Sequence, residues 1–492
     1  MSCSVRWPVS EGMESTERAE LERLLFGLAA RIDLPAREKR AMLADFRAAA
    51  EYLVSDGVPA REAAERLGCE RLGNFYLRRA DYWYPLDDAA KIYPMSMTDG
   101  WMSVFRLSAY MDAPVVPELF QAALHFVLPR FPFFSTEVRR GLFWHYIDGV
   151  KRRFVVRPET EPPCAPMDLT AGERQAFRVV YYRERISVEF FHILTDGTGG
   201  LAFLTALVSE YLRLLGLSDG QDAPAETPPD GEECENAFER CCGEAPCGGF
   251  AERPAVQLRG RLSKQRPARV LHLELDATVL RGAAKARGAT VTALVLAFIA
   301  EAAHAASEPS RGEIRIQVPV NMRKFRPSAT LRNFSMYCSV AAPWEEAGDA
   351  ARLTGEFARQ LRDKASERAM LGMLGTTAAM VRRLSPVPLA VKRPAARLAY
   401  GFLGERAFTC TLSNLGAAVL PEDAARHVVK LDFVLGTCEQ SRAACSMVTL
   451  GDHAVLTVTK LTEDPAFENR LTELFEAAGV PVRLSGSMLY GA

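Results

Sequence analysis

The stretch Phe177-Arg178-Val179-Val180-Tyr181-Tyr182, then Arg183-Glu184-Arg185, then Ile186-Ser187-Val188-Glu189-Phe190-Phe191-His192-Ile193-Leu194-Thr195-Asp196-Gly197 decides how this chain is read. Two β-branched and aromatic runs on either side of a short charged turn spell a hairpin. Ile186, Val188 and Phe190 share one face of its second strand. That strand runs into His192 and a polar, glycine-rich turn, after which Leu201 to Leu217 takes up helical periodicity. A histidine at the end of a buried strand, ahead of a tight turn and a helix, is held rigidly and can project into a cleft. Its imidazole titrates near neutrality, so it can accept a proton from an alcohol or an amine. In this H-x-x-x-D-G pattern Asp196 orients the loop, and Gly197 lets the backbone turn without steric penalty.

The same segment offers rival motifs that the flanking sequence disfavours. Gly197-x-Gly199-x-x-Ala202 follows a strand and opens a helix, but a dinucleotide fold needs an acidic residue at the end of a next strand about twenty residues on, where this chain is a linker. Gly216-Leu217-Ser218-Asp219-Gly220 fits G-x-S-x-G but follows a helix, not the strand of a hydrolase elbow. Neither H-E-x-x-H nor G-x-x-x-x-G-K occurs.

Outward from the hairpin, residues 14 to 75 are helical in pattern. Leu21, Leu24, Leu25 and Leu28 form one face, and Met42, Phe46 and Leu53 a second. Gly57 ends the second helix, and a third runs from Pro59 to Leu67 and Gly68. Residues 218 to 255 are rich in Pro, Gly, Asp and Glu and read as a linker too polar to bury a core. Beyond it come helices at Ala277 to Arg287 and Thr290 to Ala306, and a strand at Ile314 to Val320. Further helices lie between Ala350 and Ala399, with strands near Phe408 to Leu412 and Val455 to Lys460. A last helix runs from Pro465 to Ala478. The expected organisation is a helical accessory domain (1–75), an α/β half carrying the histidine (76–217), the linker (218–255) and a second α/β half (256–492).

At 492 residues the chain exceeds what one core sustains. With 60 basic and 61 acidic residues it has a formal net charge of -1, so no overall field attracts a polyanion and nucleic acid is not expected as a partner. Its longest apolar run, Val291 to Ala300, is far shorter than the roughly 20 residues that cross a bilayer. No secretory signal is evident, which points to the cytoplasm. The odd count of 11 cysteines then implies reduced thiols. Cys234, Cys241, Cys242 and Cys247 crowd the linker without a C-x-x-C pair or a nearby histidine, so no metal is expected.

Several further motifs flank the histidine segment in chain order: Pro85-Leu86-Asp87, Ala90-Lys91-Ile92-Tyr93-Pro94, Pro319-Val320-Asn321-Met322-Arg323, Thr330-Leu331-Arg332-Asn333-Phe334 and Ser413-Asn414-Leu415-Gly416. With H-x-x-x-D-G, this set resembles the alcohol acetyltransferase-like branch of the CoA-dependent acyltransferases, related to chloramphenicol acetyltransferase and to peptide-synthesis condensation domains. The resemblance runs from about Tyr84 to the C-terminus. It implies an α/β fold of two chloramphenicol-acetyltransferase-like halves around a central tunnel, here preceded by the small three-helix unit. The implied activity moves an acyl group, such as acetyl, from a CoA thioester to a small hydroxyl or amine acceptor. Acyl-CoA would then be a cosubstrate, with no permanently bound cofactor.

Carried onto this chain, the resemblance makes His192 the general base and Asp196 a structural residue paired with Arg323. It places Ser413 and Asn414 near the acyl carbonyl. Between Arg382 and Arg406, Arg383, Lys392, Arg393 and Arg397 are cations that can meet the phosphates of coenzyme A. Condensation domains often carry a second histidine just before the catalytic one, where this chain has Phe191, which lowers the carrier-protein reading. A binding protein that retains the scaffold and recruits a protein partner through its N-terminal helices is the alternative from another class.

Overall fold

The computed structural model describes residues 15–97, 102–169, 174–218, 228, 230–241, 254–264, 267, 269–403, 405–437 and 441–487. The hairpin forms the middle of a five-stranded sheet in the order Val428–Leu435, Val104–Met111, Arg185–Phe191, Phe177–Tyr182, Val156–Pro158. Tyr182 pairs with Arg185, so the turn is the two residues Arg183 and Glu184 and not three as read from sequence. Arg183 takes φ 50°, the left-handed geometry that lets so short a loop follow the twist of its strands. Helices Pro117–Val127 and Gly197–Leu215 pack on one another and against this sheet.

A seven-stranded sheet organises the second half, in the order Ser335–Pro343, Glu313–Asn321, Cys410–Ala418, Ala443–Leu450, His453–Lys460, Arg269–Asp276, Arg483–Ser487. Only Cys410–Ala418 runs parallel to its neighbours. Helix Val291–Ala305, buried from Ala293 to Ala303, packs against helices Ala350–Lys364 and Ala466–Ala477 beside that sheet. A small third sheet joins Trp83–Pro85, His145–Gly149 and Thr136–Arg140.

The two larger sheets are not independent. Val428–Leu435 comes from the second half of the sequence yet pairs along Val104–Met111, from Lys430 opposite Tyr110 to Leu435 opposite Phe105. One half thus supplies an edge strand to the other.

The N-terminal helices form at Ser15–Arg31, Ala36–Ser55 and Ala60–Arg66, with Gly57 at φ 91° just past the second. Their apolar faces join the core of the first half. The Phe46 ring lies 5.3 Å from Phe126, and Asp45 accepts from His125 at 2.8 Å and from Arg153 at 2.6 and 2.7 Å.

Within the stretch read as a linker, residues 230–241 correct that reading, because Cys234, Ala237, Phe238 and Cys241 are buried. The carbonyls of Glu233 and Glu235 accept from Leu331 N at 2.8 Å and Thr330 Oγ1 at 2.7 Å, so this segment straps the 330–334 loop. Cys242, Cys247 and the end of the Gly216–Gly220 match lie outside the described residues.

Candidate active site

His192 follows directly on the last residue of strand Arg185–Phe191, and its backbone N–H donates to Ser103 O at 2.8 Å. Its ring stacks on Tyr93, with centroids 4.9 Å apart and planes at 23°, and meets the edge of Phe105 at 5.1 Å. Nδ1 lies 2.8 Å from Oδ1 of Asn333 in the second half. An amide oxygen only accepts, so Nδ1 carries the proton and Nε2 keeps its lone pair. Burial pushes the imidazole pKa below its usual value, overriding the raising effects of its own backbone carbonyl, Asn333 and nearby Asp196. The ring is therefore neutral near pH 7.

Asp196 is placed by its own helix. As N-cap of Gly197–Leu215 it accepts from Thr198 N and Gly199 N through Oδ1, each at 3.1 Å. Its Oδ2 accepts from Arg323 Nη1 at 2.7 Å and from Phe334 N at 2.9 Å. Arg323 gives Asp196 one N–H, at Nη1. Nη1 also reaches Asn321 Oδ1 at 3.3 Å, and Nη2 donates to Thr330 O at 2.7 Å and Arg332 O at 2.8 Å. The guanidinium so ties the 330–334 loop, which carries Asn333, to the loop that carries His192.

The glycines of this turn serve a different purpose from the one read in the sequence. Gly197 has no left-handed φ. A Cβ there would stand 2.4 Å from Leu415 Cδ2, and one on Gly199 would stand 2.1 Å from Leu331 O. Gly199 excludes a side chain because backbone of the second half presses against it, whereas one at Gly197 would have to displace the end of the Leu415 side chain.

Leu415 places the Ser413–Gly416 stretch of strand Cys410–Ala418 beside Gly197. Ser413 is half-buried there. Asn414 is engaged locally, its Nδ2 donating to Thr292 Oγ1 at 3.1 Å and its Oδ1 accepting from Gly416 N at 2.8 Å.

Among the cations, Arg383 is exposed near the end of helix Glu367–Leu384 and Arg393 is partly buried on helix Leu389–Leu403. Lys392 is a correction. Its side chain is buried, with Nζ 3.2 Å from the centre of the Trp144 ring and donating to Leu384 O at 3.1 Å, and burial pulls its pKa down to about 8. An ammonium held in that way is not presented to a phosphate. The side chain of Arg397 lies outside the described residues.

Sequence reading gave no role to Asp87 or Asn333, although both stand in the quoted motifs. Asp87 is fully buried, accepts from Ala90 N at 2.8 Å, and has Asn333 Nδ2 3.4 Å from its Oδ2.

No family model matches the chain, and no curated protein matches it significantly by sequence. Solved structures do match by shape. F. graminearum TRI101 complexed with coenzyme A and T-2 mycotoxin superposes with a TM-score of 0.59 at 9% identity, over 82% of this chain and 99% of that one. The trichothecene 15-O-acetyltransferase TRI3 of Fusarium sporotrichioides gives 0.53 at 12% identity, over 80% and 94%. The first condensation domain of the CDA synthetase gives 0.54 at 16% identity, over 83% and 100%. The chain has the two-lobed fold of the chloramphenicol-acetyltransferase-like acyltransferases and condensation domains. In this chain the His192 loop, the Asn333 loop and the Ser413–Gly416 stretch of strand Cys410–Ala418 come together, drawn from both halves. Among the described residues, no single helix is long and apolar enough to cross a membrane.

Proposed function

We propose that this chain is an acyltransferase that moves an acyl group from a CoA thioester to a small hydroxyl or amine acceptor, with His192 Nε2 as general base. The observation that carries this reading is the buried ring of His192 with Nδ1 2.8 Å from Asn333 Oδ1, at the place where the two halves meet. In the reaction, Nε2 takes the proton of the acceptor as its oxygen or nitrogen attacks the thioester carbonyl. The tetrahedral intermediate collapses with loss of the CoA thiolate, which recovers a proton from the imidazolium. No covalent enzyme intermediate is needed.

Asp196 and Arg323 hold the loop and take no part in proton transfer. The amide of Asn414 is committed to Thr292, so Ser413 Oγ is the hydroxyl assigned to the oxyanion, a contribution of about 10²–10³ in rate for one donor. Arg383 and Arg393 remain the cations assigned to the phosphates of coenzyme A. The N-terminal helices, which share the core of the first half, are an accessory to this chemistry and the surface offered to a protein partner.

The test is mass spectrometry of products from purified protein supplied with acetyl- and longer acyl-CoA and a panel of alcohols and amines. Acylated product should appear and fall by about 10²–10⁴ in His192→Ala, the usual contribution of a positioned base. Product that persists at normal rate in that variant refutes the role of His192. No product with any donor refutes free acyl-CoA as the substrate.

A further inference from the structure

Asn333 has two faces, and the chemistry of its two neighbours differs. A carboxylate only accepts hydrogen bonds, whereas a neutral imidazole nitrogen donates or accepts according to its tautomer. Asp87 is buried beside Tyr93 and Arg332 and is anchored through Oδ1 by Ala90 N at 2.8 Å, so its other oxygen Oδ2 cannot swing away. Asn333 is equally buried, at 1% exposure, and turns Nδ2 toward that oxygen at 3.4 Å, leaving Oδ1 toward His192 Nδ1 at 2.8 Å. Reversing the amide would put two donors, Nδ2 and Nδ1–H, against each other at the ring and two acceptors against each other at Asp87.

Resting on His192 as the base, we propose that Asp87 is a positioning residue that fixes the orientation of the Asn333 amide and thereby the Nδ1–H tautomer of His192. Asp87 touches neither substrate nor the imidazole. Its effect passes from an early segment of the first half, through a loop of the second half, back to a strand end of the first. The free lone pair on Nε2 therefore exists only when both halves are docked and the 330–334 loop is seated.

A single atom exchange tests this. In Asp87→Asn the side chain keeps Oδ1 on Ala90 N and places an NH₂ where Oδ2 stood. Asn333 must then turn its oxygen to residue 87 and its NH₂ to His192, which moves the ring proton to Nε2. Adding Asn333→Asp restores an acceptor to both neighbours. The readout is 15N NMR of protein labelled at histidine, with His192 assigned by its loss in His192→Ala. Wild type and the double variant should show a pyridine-type Nε2, and Asp87→Asn a pyrrole-type Nε2.

Turnover should follow, with kcat falling by about 10²–10⁴ in Asp87→Asn and recovering in the double variant while KM for acyl-CoA stays near wild type. An imposed wrong tautomer in a serine-protease triad costs about 10⁴. If Asp87→Asn does not fold, Asp87→Ala, which removes the buried charge, should show a mixture of the two tautomers. An unchanged Nε2 signal in the folded variant overturns the proposal and assigns the tautomer to the ring's own backbone carbonyl. Tautomer shifts as expected without acyl product from any variant uphold the proposal and sink the acyltransferase reading.

Discussion

The two faces of the five-stranded sheet are built from alternate residues of the same strands, and they are opposites. One carries Phe105, Leu107, Ile186, Val188, Phe190 and Phe433, all buried, beneath helix Gly197–Leu215. The other carries Arg106, Ser108, Tyr110, Ser187, Glu189 and Asp432, and among these Arg106, Ser108, Ser187, Glu189 and Asp432 are nearly as buried. On that side Arg106 holds Glu189 at 2.8 Å and Glu159 at 2.7 Å, Arg178 also pairs with Glu189, and Tyr110 donates to Asp432 at 2.8 Å. His272, from the second half, reaches Asp432 at 3.5 Å and Thr457 at 2.9 Å. The apolar face supports His192 through Phe105; the charged face joins the halves. A buried apolar face tolerates small changes of shape, whereas a buried ion network tolerates loss of no partner.

The largest break in this contrast should come from Glu189→Gln, which preserves volume and removes one charge. It leaves Arg106 and Arg178 short of a buried counter-ion and should cost about 3–5 kcal/mol in urea denaturation at pH 7.5. A loss below about 1 kcal/mol would show that Glu159 on Arg106, and Glu161, which lies 2.9 Å from Arg178, suffice.

A pH-graded effect comes next. Burial holds the His272 pKa below 6.5 in the fold, so between 6.5 and that lower value the unfolded chain binds the proton that the native protein refuses. Stability contributed there is present at neutral pH and is lost as pH falls through that window. Burial opposes ionisation of Asp432 and Glu189, but their cationic partners prevail and depress both, so their contributions persist to lower pH. Denaturation midpoints measured from pH 7.5 to 5 should fall less steeply in His272→Gln than in wild type, the remainder belonging to His145, which burial pulls down to about 4, and to His192. Parallel curves would mean that His272 already takes its proton in the fold.

Ile186→Val on the apolar face should give the smallest change, about 0.5–1.5 kcal/mol, and the same at every pH. A pH-dependent loss from that substitution would break the separation of the two faces.

The legibility of this molecule followed the range of its signals. The hairpin, the helix after it and the N-terminal helices could be read from sequence because strand and helix periodicities are local. Arg323 was named as the partner of Asp196 by motif order, though 127 residues separate them. Asp87 and Asn333, 246 residues apart, had no such guide, since an amide between a carboxylate and an imidazole leaves no periodic trace. Lys392 looked like an open cation because sequence does not reveal that Trp144 lies beneath it. The 230–241 strap looked solvated because its use is as a row of backbone carbonyls, which every sequence possesses.

By itself the sequence determined the alternation that makes a two-faced sheet, the strand end that carries His192 and the N-cap that holds Asp196, each a matter of neighbours within a few residues. Tertiary structure decided why Gly199 has no side chain, which strand completes the first sheet, and which ring nitrogen of His192 is free. Those depend on surfaces from distant parts of the chain meeting at van der Waals and hydrogen-bond distance, and such contacts exist only once the two halves have packed.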